Sequence, residues 1–303
     1  MKPLAKAYDK PDFTISDLED RGPQQNVLLT IPDYFDVIDV KNVYMEGSII
    51  DRRLAKRQWQ QLRDTYEALY KRGLIRGLFV EPGAEGLEDM VFCCNPIYSW
   101  VVDDTRCVVL SHMRYPSRQR EVEHHRLFCE RQGFKIIELE GKGLFEGGGD
   151  AIPHPYKRLI WGGYGHRSDR FMYDEISAKL KTPIICLELV SPYFYHLDTC
   201  FSPLDDDTVL ICPEAFSKEG LEVIHQMYKK VYDIPMADVK ETFSLNFDAV
   251  FDESGEKKVA VIQKSNSIVI DILQKEGYEV IQIETGEYMK SGGSVFCMKT
   301  VMD

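Results

Sequence analysis

The sequence predicts an α/β fold in which five similar units, each of strands and one helix, close into a ring. Five amphipathic segments predict the helices, and the starts of the last four are spaced by about 50 residues. Short β-rich runs lie between them. Repeated units at a fixed period indicate a closed radial arrangement, with strands inside and helices outside. An ordinary α/β sandwich with coincidental spacing is the alternative that periodicity leaves open.

Each predicted helix begins at a polar residue, and three of them end at glycine, which are the expected capping signals. The predicted helices are 51–73, 117–133, 168–180, 217–231 and 265–277. The β-rich runs between and beside them are 91–94, 107–110, 134–139, 159–162, 184–190, 209–212, 259–262, 280–283 and 295–298.

The spacing after the first helix is longer than the others, which predicts an inserted loop at 73–90. Within it, residues 81–86 (Glu-Pro-Gly-Ala-Glu-Gly) are typical of a turn. Residues 1–25 are polar and contain proline, so we expect an irregular N-terminal arm. Because no low-complexity linker divides the remainder, we interpret 26–303 as a single catalytic domain.

Composition limits the classes of function. Apolar residues make up 44% of the 303 residues and charged residues 28%, as in an ordinary globular protein. A net charge of −12 argues against a nucleic-acid partner; it suits a cationic substrate or serves solubility alone. No apolar window reaches the length of a membrane span, and the first ten residues lack the apolar segment of a signal peptide. Eight cysteines without a CxxC pair predict a reducing cytoplasm, not a disulfide framework.

Cys297 is the candidate nucleophile. It follows Gly292-Gly293-Ser294 at the start of an apolar run, where glycines allow a ligand to approach the backbone closely. A thiol reacts as the thiolate, which requires a local positive field or a cationic substrate. The competing interpretation is a buried structural cysteine, and that interpretation fits the other seven cysteines well.

Two further motifs supply an imidazole and carboxylates. In His196-Leu197-Asp198, an extended backbone would direct residues 196 and 198 into one pocket, although a lone histidine is more often structural. In the sequence from Glu146 to Asp150, three glycines separate the two acids, so both could face one cavity or form an acidic surface turn. The HExxH and Cys/His ligand spacings are absent, so no metal is predicted.

Arg167 lies just before a predicted helix, after a glycine-rich segment that lacks the P-loop ending and the GxGxxG spacing. An arginine there could hold a carboxylate through two parallel hydrogen bonds. On the motif alone, a solvated arginine in the turn before the helix is the simpler interpretation.

Taken together, these residues resemble the guanidine-group-modifying enzymes, which include arginine deiminase, dimethylarginine dimethylaminohydrolase, the amidinotransferases and the bacterial arginine dihydrolases. The resemblance runs from about residue 26 to the C-terminus. The segments that carry it are 32–37, 42–45, 90–95, Glu146 with Asp150, Arg167, 196–199 and the terminal Gly-Gly-x-x-x-Cys. It implies a five-bladed, pseudo-symmetric α/β propeller, the pentein fold, which agrees with the repeat spacing.

The resemblance also implies roles for particular residues. Cys297 would attack the guanidinium carbon, His196 would shuttle protons, and Glu146 would hold the imidazole. Substrate-binding roles would fall to Asn42, Asn95, Arg114, Asp150, Arg167, Asp198 and Ser291. The expected partner is a small guanidino compound, with no cofactor, nucleic acid or membrane, and the oligomeric state stays open.

Asn95 is the departure that decides between activities. Deiminases and dimethylarginine hydrolases usually carry aspartate there, whereas asparagine resembles the arginine and succinylarginine dihydrolases. A neutral amide would tolerate a ureido group, so citrulline could be retained and hydrolysed again. We therefore expect an arginine dihydrolase. The alternatives are a dimethylarginine dimethylaminohydrolase or deiminase that yields citrulline, an amidinotransferase, and a non-catalytic binding protein. Val43 and Ser291 also depart from the common pattern.

Overall fold

The computed structural model describes residues 3–303 and confirms the predicted ring of five α/β units. Each unit contains two antiparallel strands, then a helix, then a third strand that runs parallel to the second. The strands are β1 Ala7–Tyr8, β2 Asn26–Thr30, β3 Gly77–Glu81, β4 Ile97–Val102, β5 Thr105–Leu110, β6 Lys135–Ile137, β7 Ala151–Pro153, β8 Ile160–Tyr164, β9 Ile184–Glu188, β10 Phe201–Pro203, β11 Thr208–Ile211, β12 Lys230–Asp233, β13 Asp248–Phe251, β14 Lys258–Gln263, β15 Glu279–Ile283 and β16 Lys299–Val301.

The helices are α1 Arg52–Lys71, α2 Pro116–Arg131, α3 Gly147–Asp150, α4 Met172–Leu180, α5 Lys218–Met227, α6 Met236–Thr242, α7 Ile268–Lys275 and α8 Gly286–Met289. Of these, α1, α2, α4, α5 and α7 join the second and third strands of the five units, which confirms the five predicted helices. None of the helices within residues 3–303 is both long enough and apolar enough to cross a membrane.

The ring closes by pairing the ends of the chain. The five sheets are β16-β2-β3, β4-β5-β6, β7-β8-β9 extended by β1, β10-β11-β12 and β13-β14-β15. In the first sheet, β16 runs antiparallel to β2, with Val301 opposite Val27 and Lys299 opposite Leu29. The first unit is therefore assembled from both ends of the chain, and each unit repeats the same strand order.

Capping side chains explain where the helices begin. Asp51 accepts hydrogen bonds from the main-chain N–H groups of Arg53 and Leu54, and Ser217 accepts one from Gly220. Helix α4 begins four residues later than predicted because the side chain of Ser168 is used elsewhere. Its Oγ donates to Asp150 at 2.6 Å and accepts from the N–H of Glu146.

Three sequence predictions about strands and loops were wrong. The supposed insertion at 73–90 contains β3, which pairs in parallel with β2 and completes the first unit. The apolar runs 91–94 and 295–298 are buried turns and not strands. They meet where the N–H of Cys94 donates to the carbonyl of Cys297 at 3.4 Å. Apolar runs of this length do not distinguish a buried strand from a buried turn.

The N-terminal segment packs against the ring. Strand β1 adds to the third sheet by pairing in parallel with β9. Phe13, Ile15 and Leu18 are buried in the main apolar cluster of the protein. The segment therefore contributes apolar burial as well as one short strand.

A buried polar network joins helix α1 to the closing strand. The Tyr66 hydroxyl donates to Asp248 Oδ2 at 2.6 Å, and Lys299 Nζ lies 2.7 Å from Asp248 Oδ1. Tyr66 is on α1, Asp248 begins β13 and Lys299 begins β16. The network therefore links the outer helix, the fifth unit and the strand that closes the ring.

We predict that Tyr66→Phe lowers the free energy of unfolding by about 1–3 kcal/mol, because it leaves a buried carboxylate without one of its donors. The matched control is Tyr70→Phe, one turn further along α1, where the ring is 50% exposed. Urea denaturation of both variants measures the difference. Equal stability of the two variants would contradict the role given to the network.

Candidate active site

The turn that carries Cys297 requires its two glycines. Gly292 has φ +85°, and a Cβ there would lie 2.5 Å from Tyr195 Oη and 2.8 Å from Asn42 Nδ2. A Cβ at Gly293 would lie 2.6 Å from the ring of Phe92. Glycine therefore lets the turn pass close to the residues on either side and brings the thiol into the cavity.

Cys297 is buried and held by two partners. Its Sγ is hydrogen-bonded to Asp198 Oδ2 at 3.0 Å and accepts from Asn246 Nδ2 at 3.2 Å. Asn246 Oδ1 accepts the main-chain N–H groups of Ser294 and Cys297, at 3.0 and 3.3 Å. Asn246 thus fixes both the thiol and its turn. Its role cannot be recognised from the sequence, because a single asparagine between Leu245 and Phe247 matches no motif.

The environment favours a thiolate at Cys297. Burial raises the pKa of the thiol, but hydrogen bonds from its neighbours, first of them Cys94, outweigh burial and lower the pKa to about 7. Burial, with the adjacent Cys297, raises the pKa of Asp198 well above its usual range. The thiol and the carboxyl group therefore share one proton. By contrast, burial raises the pKa of Cys93 and of Cys129 to about 12.

His196 and Glu146 form a buried pair, with His196 Nε2 2.7 Å from Glu146 Oε2. Glu146 also accepts from Arg167 Nη1 at 3.1 Å and from the N–H of Arg114 at 2.9 Å. Burial raises the pKa of Glu146, but the bond from His196 and the charge of Arg167 outweigh it and lower the pKa to about 2. Burial lowers the pKa of His196 to about 4 despite Glu146. Near neutral pH, Glu146 is therefore ionised and His196 is neutral.

The His196-Leu197-Asp198 segment is not a strand, which corrects the extended interpretation. His196 has extended dihedral angles, but Leu197–Thr199 form a 3₁₀ turn. The imidazole therefore faces the cavity that contains Cys297, while Asp198 approaches the thiol from another side. A turn, and not the alternation of side chains along a strand, therefore brings His196 and Asp198 close to Cys297.

Asp150 has both carboxylate oxygens engaged by the protein. Oδ2 accepts from Ser168 Oγ at 2.6 Å, and Oδ1 accepts from the N–H of Leu197 at 3.2 Å. The three glycines before it form the one-turn helix α3, and a Cβ at Gly149 would lie 2.2 Å from Asn95 Nδ2. The glycines thus allow close packing beside Asn95, and Asp150 positions the segment that follows His196.

A cavity of about 340 Å³ lies over the thiol. Its lining is Lys41, Asn42, Met45, Asp89, Phe92, Asn95, Arg118, Arg167, Tyr195, His196, Ser291, Gly292, Gly293 and Cys297. Six of the ten predicted site residues are among them: Cys297, His196, Asn42, Asn95, Arg167 and Ser291. The other four lie behind the lining. Glu146 contacts His196, and the main-chain N–H of Arg114 donates to Glu146. Asp150 accepts from the N–H of Leu197, and Asp198 contacts Cys297. A larger cavity of about 760 Å³ has Asp198 in its lining, but neither a thiol nor an imidazole. The smaller cavity, which contains both groups, is therefore the candidate active site.

The two predicted carboxylate-binding arginines differ in placement. The Arg167 guanidinium lies between the rings of Tyr115 and Tyr195, 4.8 and 4.7 Å from their centroids, and donates to the carbonyl of Lys41 at 2.8 Å. Arg114 is exposed, and its side chain donates to the carbonyl of His166 at 3.2 Å. Arg167 is therefore fixed in the cavity wall, whereas the Arg114 guanidinium lies outside it.

Buried charges that the sequence analysis did not single out complete the wall. Lys41 Nζ lies 3.0 Å from Glu88 Oε1 and 3.0 Å from Asp89 Oδ2. Asn42 donates to the carbonyl of Ser291 at 3.0 Å. Lys41, Asp89 and Arg118 belong to no recognised motif, so only the fold reveals that they meet.

Cys94, Asp198 and Cys297 bring two sulfurs and a carboxylate oxygen within 4.8 Å of one another. Thiolates bind soft and borderline metal ions, and a carboxylate oxygen can complete the coordination of a borderline ion such as Zn²⁺. The same sulfur of Cys297 is the group that faces the cavity, so such an ion would compete with a substrate for it.

The five-bladed propeller and the match to a known family identify a hydrolase that acts on amidines. The chain belongs to the family described as N,N-dimethylarginine dimethylhydrolase, eukaryotic, whose model matches residues 42–302.

Relatives agree with this assignment. The bifunctional arginine dihydrolase/ornithine cyclodeaminase ArgZ of Synechocystis sp. is 30% identical over 90% of this chain, which spans 37% of ArgZ. The N(G),N(G)-dimethylarginine dimethylaminohydrolase of Mycobacterium tuberculosis is 31% identical, with 89% of this chain and 83% of the relative covered. A crystal structure of the N-terminal domain of ArgZ, covalently bound to a reaction intermediate, matches with a TM-score of 0.82 at 30% identity, covering 92% of this chain and 97% of that one.

We predict that alkylation of Cys297 by iodoacetamide accelerates with pH through a midpoint near 7, because the thiolate reacts and its pKa lies below the ordinary 9.0. Mass spectrometry of the peptide that contains Cys297 measures the rate at each pH. In a Cys297→Ala variant, the remaining cysteines should show no such step. A midpoint near 9 for Cys297 would contradict the environment described above.

Proposed function

We propose that this hydrolase is an arginine dihydrolase, which converts arginine to ornithine, carbon dioxide and two molecules of ammonia. The observation that carries the proposal is the neutral Asn95 side chain in the wall of a cavity that also contains Cys297 and His196. Relatives of both the dihydrolase and the dimethylarginine type support hydrolysis of a guanidino group, and Asn95 supports the particular reaction.

In the first step, Cys297 Sγ forms a bond to the guanidinium carbon while His196 accepts the thiol proton. The imidazolium then donates that proton to a terminal nitrogen, ammonia leaves, and a positively charged thiouronium remains on the sulfur. Glu146 stabilises the imidazolium through its 2.7 Å contact with Nε2. The cation of the substrate favours loss of the proton shared by Cys297 and Asp198, and His196 is the base that accepts it.

Water completes the first hydrolysis. His196 accepts a proton from water, and the resulting hydroxide adds to the thiouronium carbon. The carbon–sulfur bond breaks, and the added hydroxyl loses its proton as the neutral ureido group forms. Of the two protons supplied by the water, one returns to Cys297 and the other leaves with ammonia as ammonium. A second cycle on the ureido group releases the second ammonia and leaves a thiocarbamate, whose hydrolysis gives ornithine and carbon dioxide.

Asn95 favours the second cycle because it carries no charge. Its Nδ2 is buried and has no hydrogen-bond partner in the protein. An amide N–H donates to a ureido oxygen, whereas a carboxylate at this position would repel that oxygen. The residue type therefore favours retention of the neutral intermediate.

The remaining predicted residues take supporting roles in this proposal. Arg167, with Arg114 nearer the exterior, would bind the α-carboxylate of the substrate. Asn42 and Ser291 line the cavity, Asp198 would accept from the guanidinium, and Asp150 would hold the segment after His196. The cytoplasmic location stays a prediction, and the oligomeric state, with a homo-oligomer as one possibility, stays open.

A second candidate is hydrolysis of methylated arginine, which the family model over 42–302 and the mycobacterial relative favour. The product would be citrulline together with a methylated amine. This reaction needs only one cycle, so it does not require the intermediate to be retained.

The decisive experiment incubates the protein separately with arginine and with dimethylarginine, and quantifies ornithine, citrulline, ammonia and dimethylamine. We expect ornithine and two ammonia for each arginine. Citrulline equal to the arginine consumed would refute the dihydrolase. Dimethylamine without reaction of arginine would establish the second candidate, and a new guanidino product after addition of glycine or lysine would establish amidino transfer.

We predict that Cys297→Ala lowers turnover by on the order of 10³-fold or more, since no other group can form the covalent intermediate. The matched control is Cys107→Ala on β5, a buried cysteine outside the cavity lining, which should retain activity. Circular dichroism of both variants checks the fold. Appreciable turnover by Cys297→Ala would overturn the mechanism.

A further inference from the structure

We propose that Arg118 and Glu121 of helix α2 form a positioning pair that fixes the orientation of the Asn95 amide and thereby determines whether the ureido intermediate is retained. The inference rests on the proposed dihydrolase function and deepens it. Neither residue would take part in the chemistry itself. Their effect on retention would pass through Asn95, whereas any effect of Arg118 as part of the cavity lining would apply to both cycles alike.

The contacts of Arg118 are numerous and buried. Its Nη1 donates to Asn95 Oδ1 at 3.0 Å, and its Nη2 donates to the carbonyl of Phe92 at 2.8 Å. Nε and Nη2 donate to Glu121 Oε2 at 3.1 and 2.9 Å. Arg118 is 5% exposed and Glu121 is fully buried. The Glu121 carboxylate and the Phe92 carbonyl therefore hold the guanidinium in one orientation.

An arginine has only donors, so the group it contacts on Asn95 must be the amide oxygen. If the amide rotated by half a turn, its NH₂ group would face the Arg118 guanidinium and lose the bond. Ser111 Oγ, which donates to the Asn95 carbonyl at 2.6 Å, also holds the main chain. Asn95 Nδ2 is consequently directed away from Arg118, close to Gly149 and His196.

The fixed amide has opposite consequences for the two cycles. A guanidinium offers only donors, so Nδ2 gives arginine no hydrogen bond, and Asp198 with its unpartnered Oδ1 is the available acceptor. After the first cycle, an oxygen replaces one terminal nitrogen, and Nδ2 becomes its natural donor. An asparagine free to rotate would instead present Oδ1 to arginine and lose this preference. Asparagine at 95 is therefore insufficient without Arg118.

The test compares Arg118→Met/Glu121→Gln with the unmodified protein. Changing both residues avoids leaving an unpaired buried charge. The matched control is Arg126→Met/Glu130→Gln, an ion pair on the same helix, with Arg126 Nη1 2.6 Å from Glu130 Oε1, that lies at the surface. Arg118→Lys keeps a positively charged donor at the site but loses the fixed planar geometry of the guanidinium N–H groups.

The measured quantity is the ratio of ornithine to citrulline released from arginine, together with kcat/KM for added citrulline and for arginine. We expect the ratio of ornithine to citrulline in Arg118→Met/Glu121→Gln to fall by roughly two- to tenfold, the effect of losing one hydrogen bond. The value of kcat/KM for citrulline should fall with it, and that for arginine should change much less. The ratio for Arg118→Lys should lie between those of the unmodified protein and of Arg118→Met/Glu121→Gln. The ratio for the surface control should equal that of the unmodified protein.

An unchanged ratio in Arg118→Met/Glu121→Gln would overturn the inference whatever the overall rate, because a merely structural role would slow both cycles together. If that variant does not fold, Arg118→Lys decides by the same ratio. Failure of the proposed function has a different signature, since the unmodified protein would then release no ornithine from arginine.

Discussion

The arrangement of the site depends on one buried carboxylate, that of Glu146. It accepts hydrogen bonds from the imidazole of His196, from the guanidinium of Arg167 and from the main chain at Arg114. These donors come from three separate parts of the ring. Because the carboxylate is desolvated, these donors together keep it ionised, and its charge in turn helps to fix the position of each donor.

The second constraint is the turn that presents the thiol. Asn246 holds the sulfur through its amide nitrogen and the surrounding main chain through its amide oxygen. The thiol is thereby placed next to Asp198, with which it exchanges a proton. A cationic substrate suits such a pair because it stabilises both groups in their deprotonated forms at once. The same reasoning explains why no cofactor needs to be invoked for the proposed reaction.

Much of the fold could be predicted from the sequence because the helices repeat at a regular period and carry clear caps. Strands were harder, since β3 lies within a segment that was interpreted as an insertion, and the apolar runs before Asn95 and around Cys297 are turns. His196 and Glu146 lie within motifs and were singled out from the sequence for that reason. Arg118 and Asn246 were not, because their importance lies in contacts between units that are distant in sequence, and neither type nor spacing encodes such contacts.

The closing strand has a consequence for how the enzyme loses activity. Cys297 is separated by a single residue from β16, which seals the ring against β2. An opening of this seam would carry the Cys297 thiol away from His196, while the pairing within the other four sheets does not depend on β16. Inactivation by heat or denaturant should therefore begin with local separation of β16 from β2. Activity would then require the closed ring, and the loss of one strand pairing would be enough to end it.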